Sequence, residues 1–149
     1  MIYDRLSEYY DQFVDEELLD YYLEVIQKEV SLDKTIMSLG CGTAPLAIEL
    51  SLLGYFVSGS DLSSKMLERA YNNAVEAGVH LNFYVHNILD PLFQSFDCIT
   101  MSSDVINYLA DEEEVKQAFL NVSNNLKQDG VFMFDSLLPS FFNKMENHS

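Results

Sequence analysis

Gly40-Cys41-Gly42 and Asp61 are the residues whose types and spacing point most directly to chemistry. The glycines follow an apolar run, Ile36-Met37-Ser38-Leu39, and precede a helical pattern carried by Leu46, Ala47 and Leu50. A strand, a G-x-G loop and a helix bring free backbone N–H groups and the positive end of a helix dipole to one spot. Without a Cβ at either glycine, a ligand can approach the main chain. Asp61 closes the next apolar run, roughly twenty residues on, where ribose-binding acids sit in such folds. The pattern predicts a nucleoside-containing cofactor. Two plainer readings stand beside it: the glycines as a tight turn, and Asp61 as a cap for the helix that follows. Cys41 and Cys98 are the only cysteines, and no zinc-type spacing exists, so no metal site is expected. His80 and His86 flank a strand and read as surface or hydrogen-bonded structural residues.

These groups need elements to hold them. Leu19, Tyr22, Leu23, Ile26 and Val30 share one face of a helix that ends at Ser31–Lys34. Strands are expected at Thr35–Leu39, Tyr55–Ser60, Leu81–His86, Phe96–Met101 and Val131–Asp135. Between them fall helices over Ala44–Leu53 and from Ser63, the latter with Met66, Leu67, Ala70 and Ala74 inward. Asp111 with Glu114 resembles a capping box, opening a helix that carries Val115, Phe119, Val122 and Leu126. Strands alternating with amphipathic helices predict an α/β, Rossmann-like, doubly wound and mainly parallel sheet of about five strands. The expected division is a helical cap (1–34), a cofactor-binding core (35–136) and a short tail (137–149) within one domain.

Composition narrows the partners. A formal charge of −16 on 149 residues argues against a nucleic-acid polyanion, which needs a Lys/Arg surface. No uninterrupted apolar run is long enough to span a membrane, and the opening residues lack an apolar leader segment. Two reduced cysteines fit a cytoplasmic protein.

Four segments in order resemble the class I S-adenosylmethionine-dependent methyltransferases. Ile36–Ala44 resembles their LDLGCGTG motif, and Gly59–Leu67 their G-x-D-x-S-x-x-M-L segment. Gln94–Thr100 is similar to an FDLVT strand, and Leu126–Phe132 to LKPGGxF. Tyr3, Tyr10-Asp11 and Asp104-Val105-Ile106-Asn107-Tyr108-Leu109 are similar to elements of a small bacterial subgroup. The resemblance implies S-adenosylmethionine as cofactor, S-adenosylhomocysteine as product and methyl transfer to a small-molecule acceptor. It implies that Gly40, Cys41 and Gly42 line the methionine moiety, that Asp61 accepts from both ribose hydroxyls, and that Leu62 and Ile88 sandwich adenine. Asn87 would sit at the adenine edge, or serve only as a turn residue. The Ser103 carbonyl would meet the amino group, and Tyr10 the carboxylate end, unless Tyr10 simply packs its helix.

The chain also departs from the motif. Ser38 stands where the family has an acid that orients the cofactor's amino end, and Ala44 replaces the third glycine. Pro45 occupies the third glycine position of G-x-G-x-x-G, which disfavours a nicotinamide-dependent oxidoreductase. The resemblance implies an antiparallel hairpin after the fifth strand, and residues 136–149 are too few for it. The expectation is therefore a C-terminally truncated fold with an exposed fifth strand: either the chain is a truncated product, or a second copy covers that edge as a homodimer. The alternative function is a degenerate cofactor-binding domain without catalysis, completed by a second chain.

Overall fold

The computed structural model describes residues 2–101, Val105, Leu109 and residues 111–135, with side chains from Glu16 onward. The elements are α1 (Ile2–Glu29), β1 (Thr35–Leu39), α2 (Pro45–Leu52), β2 (Phe56–Asp61), α3 (Ser64–Ala77), β3 (Asn82–Val85), β4 (Phe96–Met101), α4 (Glu112–Asn125) and β5 (Leu126–Phe134). All five strands are parallel, in the order β3-β2-β1-β4-β5. The chain builds outward from β1 to β3, then returns to the other side of β1 for β4. That reversal leaves a crevice at the carboxyl ends of β1 and β4, the place where open α/β sheets bind ligands.

Both faces of the sheet are covered, so the central strands are apolar almost throughout. Ile36, Val57 and Cys98 face Ile26 of α1 and Val30 just after it, Ala47 and Leu50 of α2, and Ala70 and Ala74 of α3. Met37, Leu39, Ile99 and Met101 face Ala118 and Val122 of α4. Phe119 of α4 adds edge-on ring contacts to Phe132 and Phe134 of β5. At the amino ends, Asp97 Oδ2 accepts from the Thr35 N–H at 2.9 Å and the Thr35 hydroxyl at 3.0 Å, joining β4 to β1.

β1 and β4 have the expected bounds, while other ends differ for local reasons. α1 begins at Ile2, so the aromatic and acidic opening belongs to the same helix as the amphipathic stretch. Tyr22, Ile26 and Val30 are buried there, and the Tyr55 hydroxyl donates to the Val30 carbonyl at 2.8 Å near the helix end. Ser63 caps α3 by accepting from the Met66 N–H at 3.2 Å. Met66, expected inward, is 39% exposed. The buried stripe is Leu67, Ala70 and Ala74, and residue 66 lies at its margin, about 100° from Leu67 around the helix.

Asp111 caps α4 by accepting from the Glu114 N–H at 2.9 Å. Leu126, expected on that helix, instead starts β5. The expected turn at Gln128–Gly130 is a bulge within the strand: Phe96 faces Leu126, yet Cys98 faces Val131. Asp129 takes φ 65° there. A Cβ on Gly130 would stand 2.7 Å from the Lys127 carbonyl oxygen and 2.9 Å from that of Asp97, so this bulge admits only glycine without displacing backbone. Among the described residues, β3 and β5 are the edges of the sheet.

Candidate functional site

The glycine loop leaves β1 and turns into α2 through three left-handed residues, Gly40, Gly42 and Ala44, at φ 63°, 57° and 70°. Ala44 adopts this conformation despite its Cβ, and its methyl is buried in the core beside α2. Pro45 then starts the helix, where its missing N–H costs nothing. The Cys41 N–H donates to the Ser60 carbonyl at 2.8 Å, which fixes the loop against the end of β2.

Asp61 is the hub. Its Oδ2 accepts from the Gly42 N–H and its Oδ1 from the Ser63 N–H, each at 2.9 Å. One half-buried carboxylate thus ties the glycine loop to the turn that opens α3. Two carboxylate oxygens offer about four acceptor sites, so two remain after these bonds.

The two loop glycines differ in what lies over them. Among the described residues a Cβ built on Gly42 meets nothing within 4 Å, whereas one on Gly40 would fall 1.8 Å from Val105 Cγ2. Gly42 is therefore the open approach to the backbone, and Val105 already stands over Gly40. The Cys41 thiol turns inward, close to Gly59 and Phe83. Burial, with the Asp61 charge adding to it, pushes its pKa up to about 12. Burial and the neighbouring Asp97 push Cys98 up to about 12 as well. Neither thiol is a nucleophile near neutral pH. Cys41 offers the crevice its backbone only.

Ser38 is buried in β1, between Gly59 of β2 and Thr100 of β4. An uncharged serine tolerates that interior position more readily than an unpaired carboxylate would. Leu62, beside Asp61, is 67% exposed and free to cover a ligand. Ile88 is half-buried in the turn after β3, and Asn121 Nδ2 donates to its carbonyl at 3.0 Å. Asn87 shapes that turn: its Oδ1 accepts from the Leu89 N–H, and its carbonyl from the Asp90 N–H, both at 2.9 Å. His86 braces the same turn. Its Nε2 lies 3.1 Å from the Asp90 carbonyl and 3.2 Å from that of Pro91, so Nε2 carries the hydrogen. The backbone of Tyr10 lies in α1 and its side chain outside the described residues, as do Ser103, Asp104 and Tyr108.

Sequence reasoning missed Tyr22 and Asp135. Tyr22, read as a core position of α1, directs its hydroxyl to Asp135 Oδ1 at 2.5 Å and lies 3.4 Å from the Met101 carbonyl. The one available signal is that a buried tyrosine needs a partner for its hydroxyl. Among the described residues there is no cluster of three or more His, Cys, Asp or Glu side chains able to hold a metal. No helix among them is long and apolar enough to cross a membrane.

A parallel sheet that reverses its order beside a glycine loop, with an acid ending the neighbouring strand, defines a Rossmann-like domain for a nucleoside-containing cofactor. Comparisons with known proteins narrow the class. The methyltransferase-domain family profile matches residues 36–130. A protein of Geobacillus sp. (strain WCH70) named as a methyltransferase is 36% identical over 141 residues, covering 91% of this chain and 57% of the relative. A ubiquinone biosynthesis O-methyltransferase of Chromobacterium violaceum is 29% identical, over 77% of this chain and 50% of its own length. The crystal structure of an S-adenosylmethionine-dependent methyltransferase from Clostridium acetobutylicum superposes with a TM-score of 0.75 at 29% identity, over 91% of this chain and 58% of that one. This chain belongs to the class I S-adenosylmethionine-dependent methyltransferases. It spans between 50% and 58% of the length of these relatives.

Proposed function

We propose that this chain binds S-adenosylmethionine across the carboxyl ends of β3, β2 and β1 and directs its methyl group to a small-molecule acceptor. The observation that carries the reading is Asp61, fixed by two backbone N–H groups at the end of β2 with acceptor capacity to spare. The residues fit the cofactor: Gly42 is open above its Cα, Asp61 can take both ribose hydroxyls, and exposed Leu62 with Ile88 can flank a purine. Asn87 Oδ1 keeps a second lone pair for the purine's amino group while it holds the turn. Gly40, Cys41 and Ser38 would border the methionine end, with Ser103 and Tyr10 completing it. The cofactor, when bound, supplies an activated methyl on a positive sulfur. The chain's own part is orientation for in-line displacement and exclusion of water. Two free, unreactive thiols agree with a cytoplasmic setting.

Calorimetric titration with S-adenosylhomocysteine tests the cofactor. Saturable one-to-one binding is expected, together with a rise in melting temperature. At a hundredfold excess over Kd, the ligand would stabilise the fold by about 2.7 kcal/mol. No heat and no shift at millimolar ligand would overturn the reading.

Among the described residues β5 is an edge of the parallel sheet, and an uncovered edge invites pairing. For the 149-residue chain, the occupant assigned by this reading is a second copy. Light scattering at high concentration is expected to give a dimer mass, and a clean monomer rejects the pairing.

A further inference from the structure

The proposed cofactor pose leaves one side of the crevice for the acceptor. The ribose acid ends β2, the purine-edge residues follow β3, and the glycine loop follows β1. In a sheet ordered β3-β2-β1-β4-β5, the nucleoside then covers β3 and β2, and the methionine end reaches β1. The reacting methyl, joined through sulfur to both parts, can meet an acceptor only from the β4–β5 side.

That side carries the Tyr22–Asp135 pair. Met101 is the last residue of β4 and lies in register with Phe134, the last of β5, so Asp135 stands just past the end of β5. Tyr22 reaches across from α1 and brings its hydroxyl to both strand ends. The phenol is only 6% exposed, and burial, followed by the Asp135 charge, raises its pKa, so it remains a donor at any working pH. Asp135 is half-buried and keeps contact with solvent. A buried phenol could have been satisfied by the Met101 carbonyl alone. Its bond to Asp135 also fixes a negative charge at the acceptor side of the crevice.

We propose that Asp135 is an acceptor-side carboxylate selecting nucleophiles that donate hydrogen bonds, an amine or a hydroxyl rather than a carboxylate, and that Tyr22 is its positioning residue. The proposal rests on the cofactor reading above. In the transfer, the acceptor's nitrogen or oxygen forms a bond to the methyl carbon as the carbon–sulfur bond breaks. The bond pair returns to sulfur, and the acceptor's proton passes to Asp135 and on to water. A fixed carboxylate also favours any cation placed at the methyl position.

Sinefungin tests this without knowledge of the acceptor, because it carries an amine where S-adenosylmethionine carries its methylsulfonium. Calorimetry on the full chain should show sinefungin binding about tenfold more tightly than S-adenosylhomocysteine, the effect of one fixed charge at close range. In Asp135→Asn, which keeps an acceptor for Tyr22, the preference should shrink to about twofold while S-adenosylhomocysteine affinity stays unchanged. Tyr22→Phe should weaken the preference partly, and adding it to Asp135→Asn should change nothing further. Thermal melts confirm that each variant is folded. A wild-type chain without preference, or an Asp135→Asn variant that keeps it, overturns the inference while S-adenosylhomocysteine binding still stands. If neither ligand binds, the cofactor reading falls and this inference falls with it.

Discussion

Replacing Asp61 with alanine should cut S-adenosylhomocysteine affinity at least about 100-fold and lower folding stability by about 3 kcal/mol. Two separate roles converge on this side chain. Within the protein it accepts from the Gly42 and Ser63 N–H groups, and hydrogen bonds to a charged partner are worth about 1.5–3 kcal/mol each. Toward the ligand it offers its remaining acceptor sites to the ribose. Asp61→Asn separates the roles: one oxygen remains, and the amide NH2 must face a backbone donor. Half of the stability loss is expected in that variant, with most of the affinity loss. Denaturant unfolding and calorimetry read the two effects independently. An Asp61→Ala protein that is destabilised yet binds the ligand normally would make Asp61 a loop tether alone.

The loop glycines should respond in opposite ways. Gly40→Ala places a methyl at φ 63°, a conformation costing about 1–2 kcal/mol for a residue with a Cβ. The methyl also meets Val105 Cγ2, with overpacking adding about 1–3 kcal/mol. A total near 3 kcal/mol is expected, partly relieved by Val105→Ala. Gly42→Ala meets no neighbour within 4 Å and bears only the backbone cost, about 1 kcal/mol. Its methyl would stand in the open approach, so affinity for S-adenosylhomocysteine should fall further than stability. Equal stability losses at the two positions would show that Val105 does not constrain Gly40.

How much of this could be read in advance depended on whether the signal was local. Thr35–Leu39 and Phe96–Met101 have the expected bounds because buried parallel strands write themselves as short apolar runs between turn residues. Ser63, Asp111 and Gly78 are likewise local signals, each acting within four residues. α1 starts at Ile2, inside the span expected to be a helical cap, although Tyr9, Tyr10 and Phe13 interrupt any clean apolar period in its first half. The bulge in β5 escaped because Gln128-Asp129-Gly130 has the chemistry of a turn, and only pairing with β4 turns it into strand.

The site divided in the same way. Gly40, Gly42 and Asp61 were legible from spacing, and the structure joins the latter two by a hydrogen bond. Asn87 carried two readings, and its Asx bond to Leu89 establishes the turn role without using all of its acceptor capacity. Tyr22 gave no hint of Asp135, because the pairing depends on which strand ends meet above α1.

The Tyr22–Asp135 contact has a consequence for synthesis on the ribosome, since its partners lie 113 residues apart. At about 5–20 residues per second, Tyr22 waits on the order of ten seconds before Asp135 exists to receive its hydroxyl. The last turn of α1 and the residue after it have earlier partners: the Val30 and Ile26 carbonyls accept from Tyr55, only 25 and 29 residues later. The helix can therefore dock at its C-terminal end while the chain is still growing. The contact one turn earlier, at Tyr22, is secured last, after β5 has been translated. Until then the Tyr22 hydroxyl lacks its carboxylate partner on the nascent chain.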